Sequence, residues 1–209
     1  LAVTTPTRKK SPKKAAKPAN AKIVHRTKTS SAGQLALSIF ETPLGWIGLL
    51  GDGQQLVSAF AGHASAKSVR AAATKRDGIY QERDWNPGLR RMVEAYSQGE
   101  IVDFSDVDIR LPQMTAFRQQ VLAATRRLGY GEWATYGELA KRVGHPRAAR
   151  AVGTVMSSNH FPILIPCHRV LAAGGQLGGY SSPSGTCLKV ELLELEARAL
   201  GLSKPRGLA

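Results

Sequence analysis

The chain has 209 residues, 43% hydrophobic and 21% charged, enough to bury one moderate core or two small ones. Its two cysteines, Cys167 and Cys187, are too few for a disulfide framework or a structural zinc site, and no run approaches the roughly 18 apolar residues of a membrane span. The formal net charge of +14 points to a polyanionic partner, nucleic acid first, or to a well-solvated basic surface.

Residues 1–32 open with nine Lys/Arg in the first 28 positions and no acid, with Pro and Ala between them, and are expected to be a disordered basic tail. No apolar h-region follows, so the tail is not a secretory signal, and an intracellular setting (cytoplasm, or nucleus in a eukaryote) is expected. From Gly33, "QLALSIF", "WIGLLG" and "QLVSAF" are β-prone runs separated by turn chemistry, predicting an antiparallel meander. A helix near 65–75 and another from Pro87 to about Gln98 would cover one face. "DVDIRLP" reads as a further strand leading into a linker at Pro112, which closes an N-terminal α/β domain over 33–112.

The second half, 113–200, is strongly basic: residues 109–190 hold ten Lys/Arg against two acids, Glu132 and Glu138. "AFRQQVLAATRRL" carries apolar residues at helical spacing and stops at Gly129. Tyr136 to Val143 form a short helix, Gly144-His145-Pro146 turn the chain, and Arg147 opens a second helix to about Ser157. This is the outline of a helix-turn-helix. The second helix is rich in small residues around Arg150, either to approach a groove wall or to pack against another helix. The fold class expected is α+β: a small β-sheet domain with helices, then a mostly helical, winged-helix-like domain. Residues 201–209 would form a tail.

"FPILIPCHRV" (161–170) is a short apolar run of the kind buried as a strand, and it delivers Cys167 beside His168 and Arg169. A thiol so placed is either a nucleophile or an inert core residue. On an extended backbone Cys167 and His168 point differently, so a water between them is the plausible link. Cys187, at the start of a helix, carries no such signal. In the last helix, Leu188 to Leu200, the residues Leu188, Leu192, Leu193, Leu195, Ala199 and Leu200 share a face, yet Lys189 and Glu196 fall near its middle. Either they pair with each other, or Glu196 orients a buried partner, with His168 the obvious one.

"IPCHRV", with "ARAVGTVMSSNHFPIL" and "TYGELA" before it and "GGYSSPSG…LK…LLELE" after it, resembles the methylated-DNA–protein-cysteine methyltransferases, over about Thr115 to Ala197. "TPLGWIGLL" is similar to their more variable N-terminal domain. The resemblance implies a repair protein that flips 6-O-alkylguanine, or 4-O-alkylthymine, out of double-stranded DNA and moves the alkyl group irreversibly to its own cysteine. It implies Cys167 as acceptor, activated through water by His168, which Glu196 orients. Tyr136 would polarise the base. Tyr180, Ser181, Lys189 and the backbone carbonyls at Cys167 and Val170 would surround it. Arg150 would fill the gap in the stack, with Arg147, Ala149, Ala151 and Thr135 against DNA and Asn159 bracing the turn. The zinc ligands of some members are absent here, so no metal and no cofactor are expected. The protein is expected to act as a monomer without membrane or obligate protein partner. The segment 181–188 is longer than in the best-known members, which leaves the pocket size open. A damage sensor of the alkyltransferase-like kind would lack Cys167. Two further rivals are a winged-helix regulator with an inert thiol and a cysteine hydrolase, for which nothing marks an acyl pocket.

Overall fold

The computed structural model describes residues 34–203, so the basic tail and the last residues lie outside it. The expected meander forms β1 (Ala36–Thr42), β2 (Gly45–Asp52) and β3 (Gln55–His63), paired antiparallel in register Phe40↔Ile47 and Leu49↔Ala59. Gly45 makes the tight β1–β2 turn at φ +86°, where a side chain would meet the His63 carbonyl at 2.9 Å. Helix α1 (Ala66–Asp77) starts on a Ser65–Ser68 capping box and buries Val69 and Ala73 against Leu37, Leu50 and Phe60. A two-residue strand, β4 (Gln81–Glu82), adds parallel to β1, giving the order β3-β2-β1-β4. Helix α2 (Pro87–Ser97) starts at Pro87, as the sequence predicts, and carries Asn86 as its N-cap.

"DVDIRLP" is not a strand. It is irregular, with a single parallel bridge, Ile109 to Leu56 on edge strand β3. Arg126 instead organises this connection by donating to the carbonyls of Phe104, Ser105 and Val107.

Beyond it come α3 (Ala116–Arg126), the two-residue β5 (Ala134–Thr135), α4 (Tyr136–Arg142) and α5 (Ala149–Ser157). A capping box between Thr135 and Glu138 starts α4, and Gly144 at φ +82° turns the chain toward α5. The α5 helix begins at Ala149, two residues after the expected Arg147. A parallel pair between β5 and β6 (Val170–Leu171) and the long α6 (Thr186–Ala199) complete the fold. Leu200, expected on the apolar face of α6, is its C-cap and is 37% exposed. The architecture is α+β, and one buried cluster runs from β1–β3 and α2 through α3–α5 to α6. That continuity brings Tyr96, from the first half of the chain, against Glu196 and His168 of the second.

Candidate active site

Phe161, Ile163, Leu164 and Ile165 are buried, as their apolarity requires, but they do not make a strand. The Ile165 N–H donates to the Phe161 carbonyl at 2.8 Å, closing a turn, and Ile163 takes φ +72°. That left-handed conformation costs a β-branched residue on the order of 1–3 kcal/mol, so the surroundings must enforce it. Asn159 does much of the enforcing. Its Oδ1 accepts from the Phe161 N–H at 3.0 Å, and its Nδ2 donates to the Ile165 carbonyl at 2.9 Å. The same Nδ2 lies 3.2 Å from Cys167 Sγ.

Cys167 to Arg169 then form a single 3-10 turn, not the extended backbone expected. The three side chains part company on it. Cys167 faces a pocket, while His168 is wholly buried toward α6. Burial pushes the Cys167 thiol up, and Asn159, Tyr180 and the Lys189 ammonium only partly offset it. The Tyr180 hydroxyl is buried near the sulfur without a hydrogen bond of normal geometry.

Glu196, 1% exposed, is the hub behind the turn. Its Oε1 lies 2.9 Å from His168 Nε2 and accepts from Arg169 Nη2 at 2.7 Å and from the Tyr96 hydroxyl at 2.8 Å. Its Oε2 accepts from Arg169 Nε at 3.1 Å and from the Gly131 N–H at 3.0 Å. Burial alone would raise the carboxyl's pKa, but His168 and Arg169 outweigh it and hold the group well below the usual carboxylate range. Burial lowers the pKa of His168 itself, against the pull of Glu196, which favours the neutral ring. Facing an ionised acceptor, Nε2 must carry the proton, which leaves Nδ1 with a free lone pair and no hydrogen-bond partner among the described residues. The result is a neutral imidazole oriented as a base.

Lys189, also wholly buried, does not pair with Glu196. Its Nζ donates to the Val170 carbonyl at 2.6 Å and to that of Leu177, and sits 6.0 Å from the Tyr136 ring. Burial brings its pKa down to about 8.

The pocket above Cys167 encloses about 710 Å³. Tyr136, Tyr180 and Ser181 line it from one side, and Ala149, Arg150, Gly153 and Ser157 of α5 from the other, with Thr135 at the start of α4. Tyr136 packs on the Gly178 backbone so closely that a Cβ there would lie 2.9 Å from its hydroxyl. Arg150 and Ala151 on α5, and Arg147 before it, are exposed. Val170, Lys189, His168 and Glu196 lie behind the pocket, not on its wall. Tyr96, Arg169 and the Gly131 N–H complete the site and were not among the expected residues.

The sequence pattern of the 6-O-methylguanine DNA methyltransferase DNA-binding domain matches residues 116–198. A methylated-DNA–protein-cysteine methyltransferase of Methanosarcina acetivorans is 39% identical over 162 residues, 76% of this chain and 96% of the relative. One of Haemophilus influenzae is 35% identical, covering 78% and 86%. The crystal structure of Mycobacterium tuberculosis OGT in complex with DNA superposes with a TM-score of 0.66 at 32% identity, covering 82% of this chain and 96% of that one. With a cysteine at the floor of a pocket beside a helix-turn-helix, and relatives that it spans almost end to end, the chain belongs to the methylated-DNA–protein-cysteine methyltransferase family.

Proposed function

We propose that this chain repairs DNA in one turnover by moving the alkyl group of 6-O-alkylguanine, and of 4-O-alkylthymine, onto Cys167. The observation that carries the proposal is a buried thiol opening into a pocket whose other wall is the second helix of a helix-turn-helix. A guanine reaches such a pocket only by leaving the stack, so the base is flipped, with Arg150 taking its place in the duplex. The exposed arginine and the small residues Ala149, Ala151 and Gly153 suit a helix that lies against a groove. The groove is the minor one, where readout is degenerate and damage in any sequence is accepted.

In the reaction the thiol proton passes through water to His168 Nδ1, and Glu196 stabilises the imidazolium. Sγ attacks the alkyl carbon, the S–C bond forms, and the C–O bond breaks with its electrons going to the base oxygen. Tyr136 donates toward the base and makes guanine a better leaving group. The Ser181 N–H serves the same oxygen, and carbonyls at Cys167 and Val170 meet the exocyclic amine. Residues 113–200 form the unit that binds DNA and accepts the alkyl group; residues 33–112 support it. The protein acts as a monomer on double-stranded DNA. The intact mass after incubation with duplex DNA holding 6-O-methylguanine tests this. A gain of one methyl group, mapped to Cys167 and absent in Cys167→Ala, is expected; an unchanged mass would sink the proposal.

A further inference from the structure

Tyr96 sits on α2, a hundred positions before Glu196, and is completely buried. Its ring packs edge-on against Phe104 and Tyr130, with centroids 5.7 and 5.9 Å away, work that a phenylalanine would do equally well. Its hydroxyl has a different destination. It donates to Glu196 Oε1 at 2.8 Å, the oxygen that also meets His168 Nε2, and it approaches Nε2 itself at 3.4 Å.

We propose that Tyr96 is a positioning residue that sets the proton affinity of His168 through the carboxylate oxygen the two share. The inference rests on the alkyl-transfer proposal above, in which neutral His168 is the base. Three residues donate to Oε1, His168, Arg169 (through Nε and Nη2) and Tyr96, and each draws off part of its negative charge. What remains decides how strongly the carboxylate stabilises imidazolium. Facing the pair are Arg169 from the 3-10 turn, Tyr130 and the Gly131 N–H from the loop after α3, and Lys189 from α6. The Lys189 ammonium is held by the Val170 and Leu177 carbonyls, and the Tyr130 hydroxyl has no hydrogen-bond partner among the described residues. Apart from the His168 imidazole itself, Tyr96 is the neutral side-chain donor to Glu196 among the described residues, and it comes from the half of the chain that carries no part of the pocket wall.

Tyr96→Phe keeps the ring and removes the donor. Oε1 then bears more charge toward His168, imidazolium is favoured, and the base is lost to protonation at higher pH. The acid limb of the pH–rate profile for methyl transfer should move up by about half a unit to one unit, with the alkaline plateau within roughly twofold of wild type. A uniform slowing at every pH, as a merely structural role predicts, or an unmoved midpoint would overturn the proposal. The imidazole midpoint of His168, followed by NMR in unreacted protein, separates this from failure of the transfer reading. It should rise in Tyr96→Phe even if the wild type accepts no methyl group, and an equal midpoint in the two proteins refutes the role of Tyr96.

Discussion

Asn159 Nδ2 lies 3.2 Å from Cys167 Sγ while it donates to the Ile165 carbonyl at 2.9 Å, so one amide spans the turn that delivers the thiol. Asn159→Ala takes the acceptor from the buried Phe161 N–H and removes a donor that lowers the pKa of the thiol. The expected cost is about 1–3 kcal/mol of stability, together with slower methyl transfer. Denaturant unfolding and single-turnover kinetics measure the two. A variant with wild-type stability would mean that the turn is held elsewhere.

Glu196→Gln removes the charge that faces both His168 and Arg169. Leaving the buried guanidinium without its counter-ion should cost roughly 3–5 kcal/mol, and Cys167 should react more slowly near neutral pH. The sign of the pH dependence follows from the depressed folded pKa of Glu196. The unfolded chain binds the proton first, so this contribution is complete above the unfolded carboxylate pKa and is lost as pH falls below it. Acid titration of stability should be flatter in the variant. An equally steep titration would assign the acid sensitivity to other groups.

Lys189→Met empties the ammonium site between the Val170 and Leu177 carbonyls, and about 1–3 kcal/mol of destabilisation is expected. In the wild type, a folded pKa of about 8 against 10.5 means that the unfolded state holds more protons between these values. Stability from this residue therefore rises with pH across that window. The rise should vanish in the variant, as urea titrations on both sides of the window would report.

Arg150 is exposed on α5 and makes no side-chain hydrogen bond within the described residues, so Arg150→Ala should unfold within about 0.5 kcal/mol of wild type. Transfer from duplex DNA should nevertheless slow by about tenfold or more, and transfer from free 6-O-alkylguanine should not. Equal slowing with both substrates would remove Arg150 from base flipping.

Much of this site can be read from residue order. Lys189 and Glu196 declare themselves by standing on an apolar helix face, and a charge there must have a buried partner. The helix-turn-helix is visible because its signals are local: a short helical run, a glycine turn and a basic second helix rich in small residues. Tyr96 is invisible for the opposite reason. Beside Leu89 and Val93 it reads as one more apolar-face residue of α2, and its hydroxyl acquires meaning only across a hundred residues. The 161–165 run misleads because hydrophobicity reports burial and not backbone dihedrals. A positive φ at Ile163 is imposed by Asn159 and the packing around it, not by isoleucine.

The thiol's burial has a further consequence. In the proposed reaction the acceptor works once, so the protein is consumed by whatever reaches that sulfur first, and its useful lifetime depends on what it refuses. Cys167, 7% exposed and kept protonated by its surroundings, presents little thiolate to electrophiles in solution. Reactivity is held back for a substrate that fills the pocket, and shelf life becomes a property of the fold.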